Sequence, residues 1–395
     1  MDVKLPENHS EFDIRKHSII VGLGGSKSYG TNHPLSDTDW KGVLVAPRRY
    51  NMTDLYNFDQ TTWKSEEKSG RLSEQAGLEE ADEEGVIYGF NKFVKLCAAC
   101  NPNVIELLFL REEDYAIVTD EGRYLIENRD LFLSQRALYT FTGYAMSQLK
   151  RIRTHKSWID NPPTHKPTRE EFGLPEHRAL PNDQLQAARK LVTRHLSSLA
   201  PWLLDANNEH KEVFYEGLYN IVGLLAEESG VSLPECDSWL EIEEVAENCA
   251  AKTLGFDSNF MDYLRREKVY GQRRQQYKQY TSWLKNRNPA RAEIESRYGY
   301  DCKHAMHLVR LLRMGEEILL TGNMNVYRPD RKELLEIRNG SWKYDYLVEW
   351  GDAKVEALNQ MVREGAAVVP KTPKLAEIAE VSMEVRERFL ARVGE

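Results

Sequence analysis

The chain has 395 residues, long for one hydrophobic core, so two domains are expected. Hydrophobic residues make up 41% and charged residues 29%, which suits a water-soluble globular protein and leaves no apolar run able to cross a bilayer. The formal net charge of −9 excludes general affinity for polyanions, so any nucleic-acid contact has to come from local basic patches.

The first ten residues lack the basic start and apolar stretch of a secretion signal, and the expected location is cytoplasmic. Residues 18–25, SIIVGLGG, form a β-branched run ending in glycines and predict a strand that runs into a tight loop. Residues 37–46 predict a second strand, with Asp37, Asp39, Lys41, Val43 and Val45 on one face and Trp40 and Leu44 on the other. Residues 47–80 read as a polar excursion with acid concentrated at 79–84. Residues 85–88 predict a third strand, leading into a helix over 90–99 that Asn101-Pro102-Asn103 ends, and an apolar segment follows at 104–110.

Five cysteines are few and odd in number, which argues against a disulfide framework. Cys97 and Cys100 have zinc-site spacing but no second pair to complete a site. Phe90, Phe93, Val94 and Cys97 read as the buried stripe of a helix, and the two cysteines as small core residues. Helical patterns dominate from about residue 131, over 184–202, 215–228 and 304–320, and the prolines of 161–169 interrupt them with a loop. The fold class is therefore α+β: a small mixed sheet with helices in a domain over 1–125, then a mainly helical, substrate-binding domain over 126–395.

Gly24 and Gly25 let the backbone come close to a ligand and aim successive N–H groups at it, and Ser26 adds a hydroxyl. A short loop later, Asp37 and Asp39 share a strand face at a spacing that suits shared divalent cations. Glycine turns and Asp-x-Asp pairs are each common alone. Their order, spacing and shared face make them one site.

This arrangement resembles the nucleotidyltransferase superfamily of DNA polymerase beta. The resemblance implies that Gly25 and Ser26 hold the triphosphate while Asp37 and Asp39 bind two Mg2+ ions, replaceable by Mn2+, with a third carboxylate from a later strand. Strand parity favours Glu84, with Asp82 on the same parity as the alternative, over Glu83. Lys27 and Lys41 are placed to meet phosphate charge.

A narrower resemblance, to the branch associated with RNA-repair pathways, rests on residues 24–45, 93–109, 300–313 and 337–342. It implies nucleoside-monophosphate transfer from a nucleoside triphosphate to an RNA end, plausibly of tRNA. Asp301, Lys303, His304, His307, Arg310 and Arg313 fall on one or two faces of a helix, and His304 and Arg310 are candidate nucleotide contacts. His304 and His307 lack a third ligand at useful spacing, so zinc is not expected. Residues 150–158 and 270–283 join cations to aromatic rings, a composition that suits unpaired RNA bases and phosphates. Transfer to a protein or small-molecule hydroxyl, and an inactive RNA-binding module, are the competing readings.

Overall fold

The computed structural model of the chain describes residues 3, 5, 11–33, 36–53, 55–64, 83–199, 215–236, 239–287 and 289–394. It has two compact units, Met1–Asn161 with Asn288–Glu395, and Pro162–Arg287.

The first unit starts with α1 (Ile14–His17), capped by the Asp13 carboxylate, which accepts from the Lys16 N–H. Strand β1 (Ser18–Gly24) follows, then α2 (Gly25–Tyr29), β2 (Thr38–Leu44), α3 (Arg48–Met52), β3 (Gln60–Lys64) and β4 (Glu83–Gly89). Helices α4 (Phe90–Ala98) and α5 (Pro102–Ile105), strand β5 (Tyr115–Val118), α6 (Asp120–Glu127) and α7 (Arg136–Asp160) complete its first part.

The strands form one mixed sheet in the order β3-β4-β2-β1-β5. Only β2 and β4 run parallel, while the other three pairings are antiparallel. Every residue of the inner strand β1 is buried, because its Ile-Ile-Val run meets apolar side chains on both faces of the sheet. Ile20 and Val43 join the main core with Phe90 and Phe93. Val21, Leu23 and Trp40 pack on the opposite face, as do Leu44 and Ile87 with Phe12 and Phe58.

The second unit holds α8 (Asn182–Leu199), α9 (Tyr215–Ser229), α10 (Trp239–Thr253) and α11 (Ser258–Lys285). Its separate core contains Leu185, Val222, Ile242 and Leu264. Helix α11 buries Met261, Leu264, Glu267 and Tyr270, all in its first half, and Glu267 is held there by Arg169 at 2.5 Å.

The chain then returns to the first unit through α12 (Pro289–Tyr298), α13 (Cys302–Thr321), α14 (Arg331–Arg338), α15 (Tyr344–Arg363) and α16 (Leu375–Val393). Helix α13 is apolar on most sides and lies in the main core against α7, whose Phe141, Ala145, Leu149 and Ile152 recur at helical spacing. Gly315 permits this approach, since a Cβ on it would stand 3.0 Å from Cβ of Phe141. Among the described residues no helix is long and apolar enough to cross a membrane.

The α+β class is as the sequence implies, and one local feature differs from its pattern. The polar excursion contains β3, an edge strand whose residues are exposed or half-buried, so no apolar alternation marks it, and pairing with β4 holds it in place. The apolar segment 104–110 forms short helical turns, with α5 beginning on an Asn101 cap and Pro102 at its first position. Cys97 and Cys100 are free and buried, with burial pushing the Cys97 thiol up, as core residues require.

Replacing Phe141 by alanine is expected to cost about 3–5 kcal/mol in urea unfolding, because a ring with no solvent exposure leaves a cavity between α7 and α13. Replacing Tyr139, 71% exposed on the same helix, is expected to stay within about 0.5 kcal/mol. Equal losses at the two positions would contradict this packing.

Candidate active site

The turn after β1 is built around Gly25, whose φ of +58° is a left-handed conformation that disfavours other residues. Space imposes the same choice. A Cβ at Gly25 would lie 1.8 Å from Asp39 Oδ2, so the loop backbone rests directly on that carboxylate. The antiparallel register sets Gly24 opposite Asp39. Helix α2 starts on Gly24, which has no side chain to cap the N–H groups of the first turn. Ser28 Oγ donates to the Gly25 carbonyl at 2.9 Å, Ser26 is half-buried, and Lys27 Nζ donates to Thr38 Oγ1 at the start of β2.

The parallel pairing of β2 with β4 places Glu84 opposite Asp39 and Glu83 opposite Thr38. Paired residues on neighbouring strands stand about 4.8 Å apart on the same face. Burial raises the Asp39 carboxyl above the usual carboxylate range, and the charges of Glu84 and Asp37 add to the rise, while Lys41 and Lys303 oppose it. Asp37 is exposed, just ahead of β2, and Glu84 meets Lys64 of β3 at 2.7 Å. Asp82 lies outside the described residues.

Lys41 and Arg310 converge on a group that the sequence patterns do not single out. Glu106 is buried, and it accepts from Tyr29 Oη at 2.7 Å, Lys41 Nζ at 3.2 Å and Arg310 Nη1 at 2.7 Å. The Arg310 guanidinium also stacks 3.7 Å from the Tyr29 ring centroid. Burial pushes the Glu106 carboxyl up, but Lys41, Arg310 and their hydrogen-bonding neighbours outweigh it and hold the group below its ordinary range. A charged residue inside the apolar segment 104–110 is the one sequence signal that marks it.

Gly25, Tyr29, Lys41 and Arg310 border a cleft of about 940 Å³ within the first unit, whose lining includes neither Glu106 nor Asp37. Asp39 and Glu84 lie on its sheet side, Gln148 and Arg151 on α7, and Lys303 and His307 on α13. Burial holds His307 well below its usual pKa, with Arg310 and Lys303 adding to the effect, so it is a neutral wall of the cleft. His304 bonds Gln148 Oε1 through Nδ1 at 2.7 Å. The cleft therefore joins clustered carboxylates to a cationic wall, an arrangement able to take a polyanion with its counter-cations.

Two outcomes test these electrostatics. Asp39→Asn is expected to be at least as stable as the wild type in metal-free neutral buffer, since it removes a carboxylate whose ionised form is disfavoured, yet to lose the Mn2+-induced rise in Tm. A wild-type-like Mn2+ response would contradict the site. The Glu106 carboxyl is depressed, so its stabilising contribution is complete above the unfolded carboxylate pKa and disappears as pH falls through the folded one. Glu106→Gln should cost about 3–5 kcal/mol at neutral pH, by leaving the buried Arg310 charge uncompensated, and should flatten acid unfolding followed by circular dichroism.

No curated protein and no solved structure matches the chain. A family match covers residues 5–164, a stretch that contains Gly25, Ser26, Asp37, Asp39, Glu84 and Glu106, while His304 and Arg310 lie beyond it. That match is to the RNA repair pathway DNA polymerase beta family, and it supports a polymerase beta-type, RNA-repair-associated nucleotidyltransferase family for this part of the chain.

Proposed function

We propose that the chain is a metal-dependent nucleotidyltransferase that moves a nucleoside monophosphate from a nucleoside triphosphate to an acceptor hydroxyl, with an RNA end as acceptor. The observation that carries this reading is the juxtaposition of Asp39 with Glu84 across β2 and β4, directly beneath the Gly25 turn. Carboxylates set together, one with a raised pKa, are unfavourable without a neutralising cation, and oxygen donors of this kind suit Mg2+ or Mn2+. This is also why an inactive module is the poorer reading, since such a cluster is costly to keep without use.

Asp37, Asp39 and Glu84 would hold two ions, which supply Lewis-acid polarisation of the triphosphate and lower the pKa of the acceptor hydroxyl. The pair of Glu84 with Lys64 is substantially exposed on both sides, so it is weak and easily exchanged for a metal. The Gly25 and Ser26 backbone would receive the triphosphate at the first turn of α2, with Lys27 beside it at Thr38. Lys41 acts from its ion pair with Glu106, lending positive charge while being held in place. Lys303 and Arg151 would meet phosphate from the helical side of the cleft, where His304 and His307 also stand.

An RNA acceptor is supported by the RNA-repair association of the matched family and by the exposed cations of the helical region after residue 125. Arg273, Arg274 and Lys278 are exposed on the second half of α11, with Tyr277, Tyr280 and Trp283 half-buried among them, and no acidic residue occurs over 268–292. Cations for phosphates and rings for unpaired bases suit a single-stranded end.

Incubation with each labelled nucleoside triphosphate, Mg2+ or Mn2+, and total RNA is expected to label RNA. Asp37→Ala should lower the rate on the order of 100-fold or more. Label on protein alone would reject the RNA acceptor, and undiminished labelling by Asp37→Ala would reject the metal site. Replacing Arg273, Arg274 and Lys278 by alanine is expected to weaken RNA binding and to lower the slope of log K against log[salt] by about one for each phosphate no longer neutralised. An unchanged slope would remove α11 from the interface.

A further inference from the structure

Three side chains outside the carboxylate cluster converge at the far end of α7. His155 lies five residues from the end of that helix, Asp301 caps α13, and His304 stands in the first turn of α13. One ligand atom from each lies within 4.8 Å of the others. Asp301 Oδ2 is 3.6 Å from His155 Nδ1 and 3.5 Å from His304 Nε2. The side chains of His155, Asp301 and His304 are only 16%, 4% and 17% exposed.

These separations are long for hydrogen bonds. They approach the edge of a tetrahedron around a metal with bonds of about 2.1 Å, which is about 3.4 Å. The surrounding contacts orient the donors. Asp301 Oδ1 accepts from the His304 N–H at 3.0 Å, while Oδ2 faces the two imidazoles. Gln148 Oε1 can only accept, so the 2.7 Å bond from His304 Nδ1 fixes the proton there and leaves Nε2 with a lone pair toward Asp301. The His155 ring is stacked on Trp158, with centroids 5.5 Å apart.

We propose that His155, Asp301 and His304 form a binding site for a divalent transition metal, zinc by donor chemistry, additional to the Mg2+ carboxylates. Two imidazoles and one carboxylate are donors for a borderline ion, whereas Mg2+ takes oxygen and water. Three protein ligands leave a fourth position for water or a ligand oxygen. His304 and its partner Gln148 both line the cleft, so that position is within reach of a molecule bound there. The metal also ties α7 to α13, the two helices that bear the cleft wall opposite the sheet. His307, the apparent partner of His304 in sequence, is not a member, and its place is taken by His155 from a distant part of the chain.

The test uses the full chain, stripped with a chelator and titrated with Zn2+ or Co2+ in excess Mg2+. One equivalent of Zn2+ is expected to bind, and Co2+ in its place should give the intense visible bands of four-coordinate cobalt. His155→Gln and Asp301→Asn should weaken Zn2+ binding at least about 100-fold, whereas Asp37→Ala retains it. Absence of Zn2+ binding by the wild type, the pale spectrum of six-coordinate Co2+, or loss of Zn2+ in Asp37→Ala but not in His155→Gln would each overturn the assignment. The wild-type spectrum decides even where a variant misfolds, and zinc retention is read without any activity, so it stands or falls apart from nucleotidyl transfer.

Discussion

The buried carboxylate of Glu106 is the constraint on which the arrangement of the cleft depends. A charge removed from water needs partners in fixed positions, and here they come from α2, β2 and α13 through Tyr29, Lys41 and Arg310. One interaction therefore sets the helix after the glycine turn, the strand with Asp39 and the C-terminal helix in a common frame. Two turns toward the N-terminus of α13 from Arg310 stand Lys303 and His304, so their placement at the cleft follows from the same anchor. Arg310 serves this anchor while itself bordering the cleft.

The two unfavourable features of the centre are of different kinds. Glu106 is expensive to bury but is fully compensated by the fold itself. Asp39 is compensated only partly, since Lys41 and Lys303 oppose but do not cancel burial and the neighbouring carboxylates. The residual cost is stored where a cation can relieve it, which is how a fold can trade stability for affinity at one place.

The glycine turn beside Asp39 was legible in the sequence because the relation is local, a strand, a short loop and the next strand, whereas Asp37, expected on that strand, stands just ahead of it. Strand parity likewise separated Glu84 from Glu83. Strand β3 was not legible, for an edge strand buries neither face well enough to leave an alternation. Glu106 and the grouping of His155 with Asp301 and His304 were hidden for another reason. Each joins residues far apart in the chain, and helix periodicity relates only neighbours three or four positions away. That limit led from His304 to His307 in sequence, while the geometry leads to His155.

The division of the chain carries a consequence for how the protein is made. The sheet-bearing unit is interrupted at Asn161 and resumes at Asn288, with the second unit inserted between. Its core needs α13 and α16, so the sheet and α7 leave the ribosome with apolar faces that nothing yet covers. The inserted unit, with a core entirely its own, can fold in the meantime. Synthesis thus allows the middle of the protein to be completed before its beginning, and a chain stalled within α16 would carry an intact inserted unit together with an aggregation-prone, unfinished sheet-bearing one.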